Sequence, residues 1–140
     1  MALKFMDSQG NGSVADAIRC LNYAEDNGAR IVNCSWFSRQ WDDLLSERIK
    51  SLGEKGVIFV CAAGNSSTGS ALADLDQVGP PTYPACFSHS NIVAVAATDA
   101  NDKLTSSSFF GEHSVDIAAP GENIYSTVLG AMGFQSMSGT

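Results

Sequence analysis

The amino-acid sequence predicts an α/β domain built on a mostly parallel sheet, and three observations carry that prediction. First, five short runs rich in Ile, Val and Phe, at residues 3–6, 30–35, 57–63, 92–98 and 115–119, are apolar with little alternation. Continuous apolarity marks strands buried on both faces, the habit of parallel sheets. Second, segments of helical period separate the first three runs, giving the order β-α-β-α-β. Third, 140 residues at 44% hydrophobic and 16% charged are enough for one core-forming domain, taken here as residues 1–140. No apolar run approaches the roughly 18 residues that a spanning helix needs, so no membrane partner is expected.

The first helix is expected over residues 13–27. Val14, Ala17, Ile18 and Leu21 recur at helical spacing, Ser13 with Asp16 resembles a capping box, and Gly28 supplies a stop. A second is expected from about Trp41 to Leu52, with Leu44, Leu45, Ile49 and Leu52 as a partly apolar stripe before Gly53 and Gly56 close it. Residues 65–91 turn to Ser, Gly and Pro and keep no period, which predicts a long loop, functional or mobile. A last short strand is expected at residues 123–128. Right-handed crossovers put both helices on one face of the sheet. The other face then lacks cover, so either the strand order reverses or the chain is a piece of something larger.

With 8 Lys+Arg against 15 Asp+Glu, the net charge of −7 argues against a nucleic-acid partner. Cys20, Cys34, Cys61 and Cys86 match no metal knuckle and read as buried thiols, with a Cys20–Cys86 disulfide left open. No signal peptide is written at the N-terminus.

Gly10-Asn11-Gly12-Ser13-Val14-Ala15 fits G-x-G-x-x-A between a strand and a helix, a pattern that can cradle a pyrophosphate in a dinucleotide-binding domain. The acidic residue that should follow about 20 positions on is replaced by Asn33-Cys34-Ser35, and the motif reads instead as a flexible connection. Asp7 ends the first run but reads as a solvated turn residue. His89 and His113 stand in polar loop contexts and read as surface positions, outside any pattern that fixes an imidazole beside a nucleophile. Ala62-Ala63-Gly64-Asn65 places a carboxamide at the C-terminal edge of the sheet, where ligand sites collect and where an amide N–H can stabilise an oxyanion.

That tetrapeptide does not stand alone. Val32-Asn33-Cys34-Ser35-Trp36, Val60-Cys61-Ala62-Ala63-Gly64-Asn65, Tyr83-Pro84-Ala85, Ile92-Val93-Ala94-Val95, Val115-Asp116-Ile117-Ala118-Ala119-Pro120-Gly121 and Met137-Ser138-Gly139-Thr140 come in an order that resembles the subtilisin-like serine proteases. The resemblance covers essentially the whole chain. It implies a three-layer αβα subtilisin-like fold with a mostly parallel sheet, incomplete in this chain, and a hydrolase that cuts peptide bonds through an Asp-His-Ser relay.

Within that resemblance, Asn65 matches the oxyanion-hole asparagine. Ala62, Ala63 and Gly64 would form one wall of the primary specificity pocket, and Ser35, Trp36 and Phe37 the opposite wall. Phe37 replaces the glycine usual there and would narrow the pocket. Gly10, Gly12 and Ser13 would pair edgewise with an extended peptide, with Val14 and Ala17 lining a more distant apolar subsite. The aspartate and histidine segments would precede the matched region. Ser138-Gly139-Thr140 looks like the approach to the nucleophile, which would be the next residue, so the chain alone is expected to be inactive and, with one sheet face bare, marginally stable or self-associating.

The resemblance further implies a cis Tyr83–Pro84 bond, a peptide or protein substrate, a pro-segment as a partner and an extracellular location. No cofactor and no metal ligand set is expected in this chain, structural calcium belonging to the full-length enzyme. Three N-x-S sequons, at Asn11, Asn33 and Asn65, fall in the expected cleft and are read as coincidental. A non-catalytic peptide-binding pseudoprotease is the alternative reading from another class.

Overall fold

The computed structural model describes residues 1–66, 74–77, 80–128 and 133–140. The described elements run α1 (Val14–Asp26), β1 (Ile31–Cys34), α2 (Asp43–Glu54), β2 (Ile58–Ala62), β3 (Ile92–Thr98), β4 (Ile117–Pro120), β5 (Ile124–Thr127) and β6 (Phe134–Met137). The first four strands form one all-parallel sheet in the order β1-β2-β3-β4, with no reversal, while β5 and β6 form a separate antiparallel hairpin.

α1 starts as its sequence specifies. Ser13 has extended backbone, its hydroxyl accepts from the Asp16 amide at 3.1 Å, and the same hydroxyl donates to the Asp16 carboxylate at 2.6 Å. In α2 the Asp42 carboxylate accepts from the Leu45 amide at 2.9 Å. This helix closes at Lys55 and Gly56, the latter at φ of 80°, while Gly53 lies inside it, where the Asn91 side chain crosses 2.5 Å from where a Cβ would stand. Asn91 uses the space to donate to the Ile49 and Val57 carbonyls at 3.1 and 3.2 Å.

Both helices cover one face, as right-handed crossovers require. Leu21 of α1 and Leu45, Ile49 and Leu52 of α2 pack with Phe59, Cys61, Ala94 and Cys34 of the sheet, and Ala85 and Phe87 complete the same core. The opposite face presents Ile31 beside Ile58, Val60 beside Val93, and Val95 beside Ile117, with Ile31, Ile58 and Ile117 exposed. Among the described residues no helix covers it.

Several expectations are corrected. Residues 3–6 form no sheet strand. They make a single antiparallel bridge, Met6 to Gly12, and Leu3 and Phe5 line a cavity of about 620 Å³ together with residues of α1 and Ile31–Cys34. That also removes the strand on which the dinucleotide reading of Gly10–Ala15 depended. β6 pairs with the expected strand at β5, although its sequence, Phe134-Gln135-Ser136-Met137, carries no period. His89 is half-buried rather than a surface position, since its Nε2 lies 2.9 Å from the buried Ser46 hydroxyl. Asp7 is exposed, accepting from the Gln9 and Asn11 amides at 2.8 and 2.9 Å, and these bonds hold its carboxyl below the usual range. Of the expected loop at 65–91, residues 67–73 and 78–79 lie outside the described residues.

All four cysteines are free. Cys34 and Cys61 stand side by side in register on neighbouring strands, both buried. The neighbouring thiol and then burial push the Cys61 thiol far up from its ordinary value. Since the thiolate is the nucleophile, iodoacetamide should modify half-buried Cys20 in the folded chain and reach Cys34 and Cys61 only on unfolding, as peptide mass mapping would report. Modification of the pair at the rate of Cys20 in native buffer would contradict this packing.

Candidate active site

The residues singled out by the sequence come together in two connected places. The first is a groove of about 260 Å³ lined by Gly10, Gly12 and Ser13 on one side and Trp36, Phe37 and Ser38 on the other, with Val14 and Ala17 beneath. Gly10, Gly12 and Ser13 are exposed, and so is Ser35, next to the groove. The backbone groups of Ser35, Trp36 and Phe37 make no hydrogen bond to other described residues, since the first backbone pairing after β1 is Ser38 with Tyr83, at 2.8 and 2.9 Å. Free backbone facing the groove, as at Ser35–Phe37, is what an extended peptide needs in order to add as a strand. On the other side Gly10 N donates to Asp7 O at 3.2 Å, Asn11 O accepts from the Asp7 amide at 2.9 Å and Ser13 O accepts from the Ala17 amide at 3.0 Å.

The second place is the end of β2. Ala62 and Ala63 are buried, so the wall they form is one of backbone. Its polar groups are already engaged: the Ala63 amide donates to Val95 O at 2.9 Å, Ala63 O accepts from the Thr82 hydroxyl at 2.8 Å, and Gly64 O accepts from the Phe109 amide at 2.9 Å. Gly64 has φ of 109°, and a Cβ on it would stand 2.7 Å from Phe109 Cδ2 and 2.9 Å from Thr82 Cγ2. Only glycine fits that close approach in that backbone region. The Tyr83–Pro84 peptide bond beside this wall is cis, as expected.

Asn65 follows directly. Its Oδ1 accepts from the Thr140 amide at 3.1 Å and from the Thr140 hydroxyl at 2.9 Å, while Thr140 Oγ1 accepts from the Gly64 amide at 3.2 Å. A backbone N–H can only donate, so Thr140 fixes which end of the carboxamide is oxygen. The other end, Nδ2, is enclosed and has no hydrogen-bond partner among the described residues. The donor end of the carboxamide is thus free of partners but covered in this chain, while Thr140 holds the oxygen end. An enclosed, unpaired amide costs about 1–3 kcal/mol and asks for a reason.

Phe109 and Arg39 are the site neighbours that no motif announced, whereas Thr140 belongs to the Ser138-Gly139-Thr140 motif and only its bond to Asn65 was unannounced. Phe109 is buried against Gly64 and its ring meets Phe37 at 6.3 Å, joining the two walls. Among the described residues no cluster of three or more His, Cys, Asp or Glu side chains comes together, and no helix is long and apolar enough to cross a membrane.

A parallel sheet with its helices on one face, a glycine-backed wall at the end of β2 and a carboxamide with a free N–H agree with what sequence comparison finds. The profile of the Subtilase family matches residues 1–140, and the chain belongs to that family. It is 34% identical to thermitase of Thermoactinomyces vulgaris over 140 residues, covering 100% of this chain and 45% of the relative. It is 35% identical to subtilisin Savinase of Lederbergia lenta over 139 residues, covering 99% of this chain and 46% of the relative. Subtilisin-like protease 2 of Plasmodium falciparum is 36% identical over 132 residues, 91% of this chain and 9% of that protein. The solved structure of the prenylagaramide maturation protease PagA superposes with a TM-score of 0.76 at 27% identity, over 95% of this chain and 46% of that one. The chain thus spans less than half the length of these relatives. Neither the dinucleotide-binding nor the pseudoprotease alternative finds support in these comparisons.

Proposed function

We propose that this chain is the oxyanion and substrate-binding part of a serine endopeptidase, and that flanking segments of a longer protein supply the Asp-His-Ser relay. The observation that carries the reading is the Asn65 carboxamide, held through its oxygen by Thr140 with its N–H donors unpaired. In the family resemblance the nucleophilic serine follows Thr140. Asn65 then touches the residue before the nucleophile, and its N–H would meet the negative charge that grows on the substrate carbonyl oxygen when the hydroxyl attacks. The donor is fixed in place before the reaction, so it need not reorganise as the charge develops. The orphan N–H of the resting chain is the stability cost of that readiness.

The substrate would be a peptide in extended conformation, its backbone between residues 10–13 and 35–37 and one side chain between the walls at 35–37 and 62–64. An extracellular location and a pro-segment partner belong to the same reading by family resemblance. The test is covalent labelling of the natural longer protein by a fluorophosphonate, followed by peptide mapping. We expect a single adduct on a serine immediately after Thr140, with loss of casein hydrolysis in proportion to labelling. Casein hydrolysis that persists after complete incubation, or an adduct mapped elsewhere, would refute the assignment.

A further inference from the structure

Phe37 stands where the resemblance leads one to expect glycine, and its surroundings contain a charge that no other part of the chain neutralises. The Arg39 guanidinium lies over two rings at once, its Cζ 5.1 Å from the Phe37 centroid and 4.8 Å from that of Phe109. Its Nη1 donates to the Pro80 carbonyl at 2.7 Å. The segment carrying Pro80 ties the two walls together: Tyr83 exchanges backbone hydrogen bonds with Ser38, next to the wall at 35–37, and the Thr82 hydroxyl donates to Ala63 O on the other wall. Arg39 thus lies beside both walls, over Phe37 of one and over the Phe109 ring that backs Gly64 of the other.

No carboxylate partners it. The ion pairs among the described residues are Arg19 with Asp16, and Arg48 and Lys55 with Glu25. Residues 67–73, 78–79 and 129–132 contain no Asp or Glu. In a chain of net charge −7, an exposed arginine without an acidic partner, ordered by two aromatic faces and a carbonyl, keeps a full positive charge. It also keeps most of its five N–H donors, in a geometry already organised for a planar anion.

We propose that Arg39 reads the substrate: it receives the carboxylate of an aspartate or glutamate side chain entering between the two walls, so that the protein cuts after acidic residues. Phe37 and Phe109 hold the guanidinium in place and narrow the slot against bulky aromatic side chains. This proposal rests on the endopeptidase reading above and names the substrate class of the same site.

The test uses the natural longer protein and matched peptides that differ only in Glu or Gln at the residue contributing the scissile carbonyl. A charge-assisted, partly bidentate contact predicts kcat/KM higher for Glu by roughly tenfold. The ratio should shrink as sodium chloride is raised, approach unity in Arg39→Gln, and turn toward Lys over Gln in Arg39→Glu. Arg39 is exposed, so these variants are expected to fold, which circular dichroism checks. Equal cleavage of the Glu and Gln peptides by the wild-type protein, or a Glu preference that survives Arg39→Gln, overturns the proposal and leaves the endopeptidase reading standing. Failure to cleave any peptide, together with absence of fluorophosphonate labelling, overturns that reading and the specificity with it.

Discussion

Replacing Asn65 with alanine is expected to lower kcat of the longer protein about 10²- to 10³-fold with little change in KM. The split follows from the geometry. The carboxamide N–H has no partner in the resting chain, so it contributes nothing to ground-state binding until an oxygen carries charge beside it. The effect on stability should be small by comparison. Removing the side chain loses two hydrogen bonds from Thr140, each worth about 1 kcal/mol, but also removes an enclosed unpaired donor that costs a similar amount. Steady-state kinetics and thermal melting on the same variant check both halves. A fall in activity matched by unfolding, or a rise in KM at unchanged kcat, would assign Asn65 a structural or ground-state binding role instead.

Gly121→Ala is expected to carry the largest effect on the arrangement of the site, although the residue touches neither the groove nor Asn65. A Cβ there would stand 2.3 Å from the Gly139 carbonyl oxygen and 2.7 Å from Ala97 Cβ. Neither is the far end of a flexible side chain: one is backbone and the other belongs to a buried residue of β3. The Gly121 amide donates to Thr98 O, and its carbonyl accepts from the Gly139 amide, both at 2.9 Å. The turn is therefore held to β3 on one side and to the Ser138-Gly139-Thr140 segment on the other. Relief of the clash must push that segment away and loosen the grip of Thr140 on Asn65. We expect a loss of about 2–4 kcal/mol in unfolding free energy. Faster hydrogen exchange at the Thr140 amide should accompany it, since that amide donates to Asn65 Oδ1. A variant that melts with the wild type and keeps its Thr140 amide protected would show that the chain end is not held through Gly121.

Much of the architecture is legible in the sequence because it is local. Ser13 with Asp16, and the spacing of Ala17, Leu21 and Ala24, specify α1 without reference to anything outside it. The apolar runs at β1 to β4 announce the strands of a parallel sheet, though the burial they imply is met on one face only, Ile31, Ile58 and Ile117 being exposed on the other. Residues 3–6 have the same texture and form no sheet strand, since pairing requires a neighbour at hydrogen-bond distance and periodicity carries no information about neighbours. β6 is the converse case, a segment without period that becomes a strand because β5 lies beside it. Gly53 shows a residue read as a stop serving instead as room for a distant side chain.

The site divides along the same line. Gly10, Gly12, Ser13, Trp36 and Phe37 are legible through motif resemblance and converge on one groove. The partnership of Thr140 with Asn65 joins positions 75 apart and has no sequence signature of its own. Arg39 is invisible for a similar reason. A lone arginine two residues past a wall is unremarkable until Phe37, Phe109 and the Pro80 carbonyl are seen to hold it.

The most direct measurement is a crystal structure of the longer protein carrying a peptide aldehyde or boronic acid bonded to its nucleophile. The tetrahedral oxygen should lie about 2.7–3.1 Å from Asn65 Nδ2, with Thr140 still bonded to Oδ1. An adduct whose oxygen is bound by other groups, with the Asn65 amide still enclosed and unpaired, would show that this carboxamide does not stabilise the reaction.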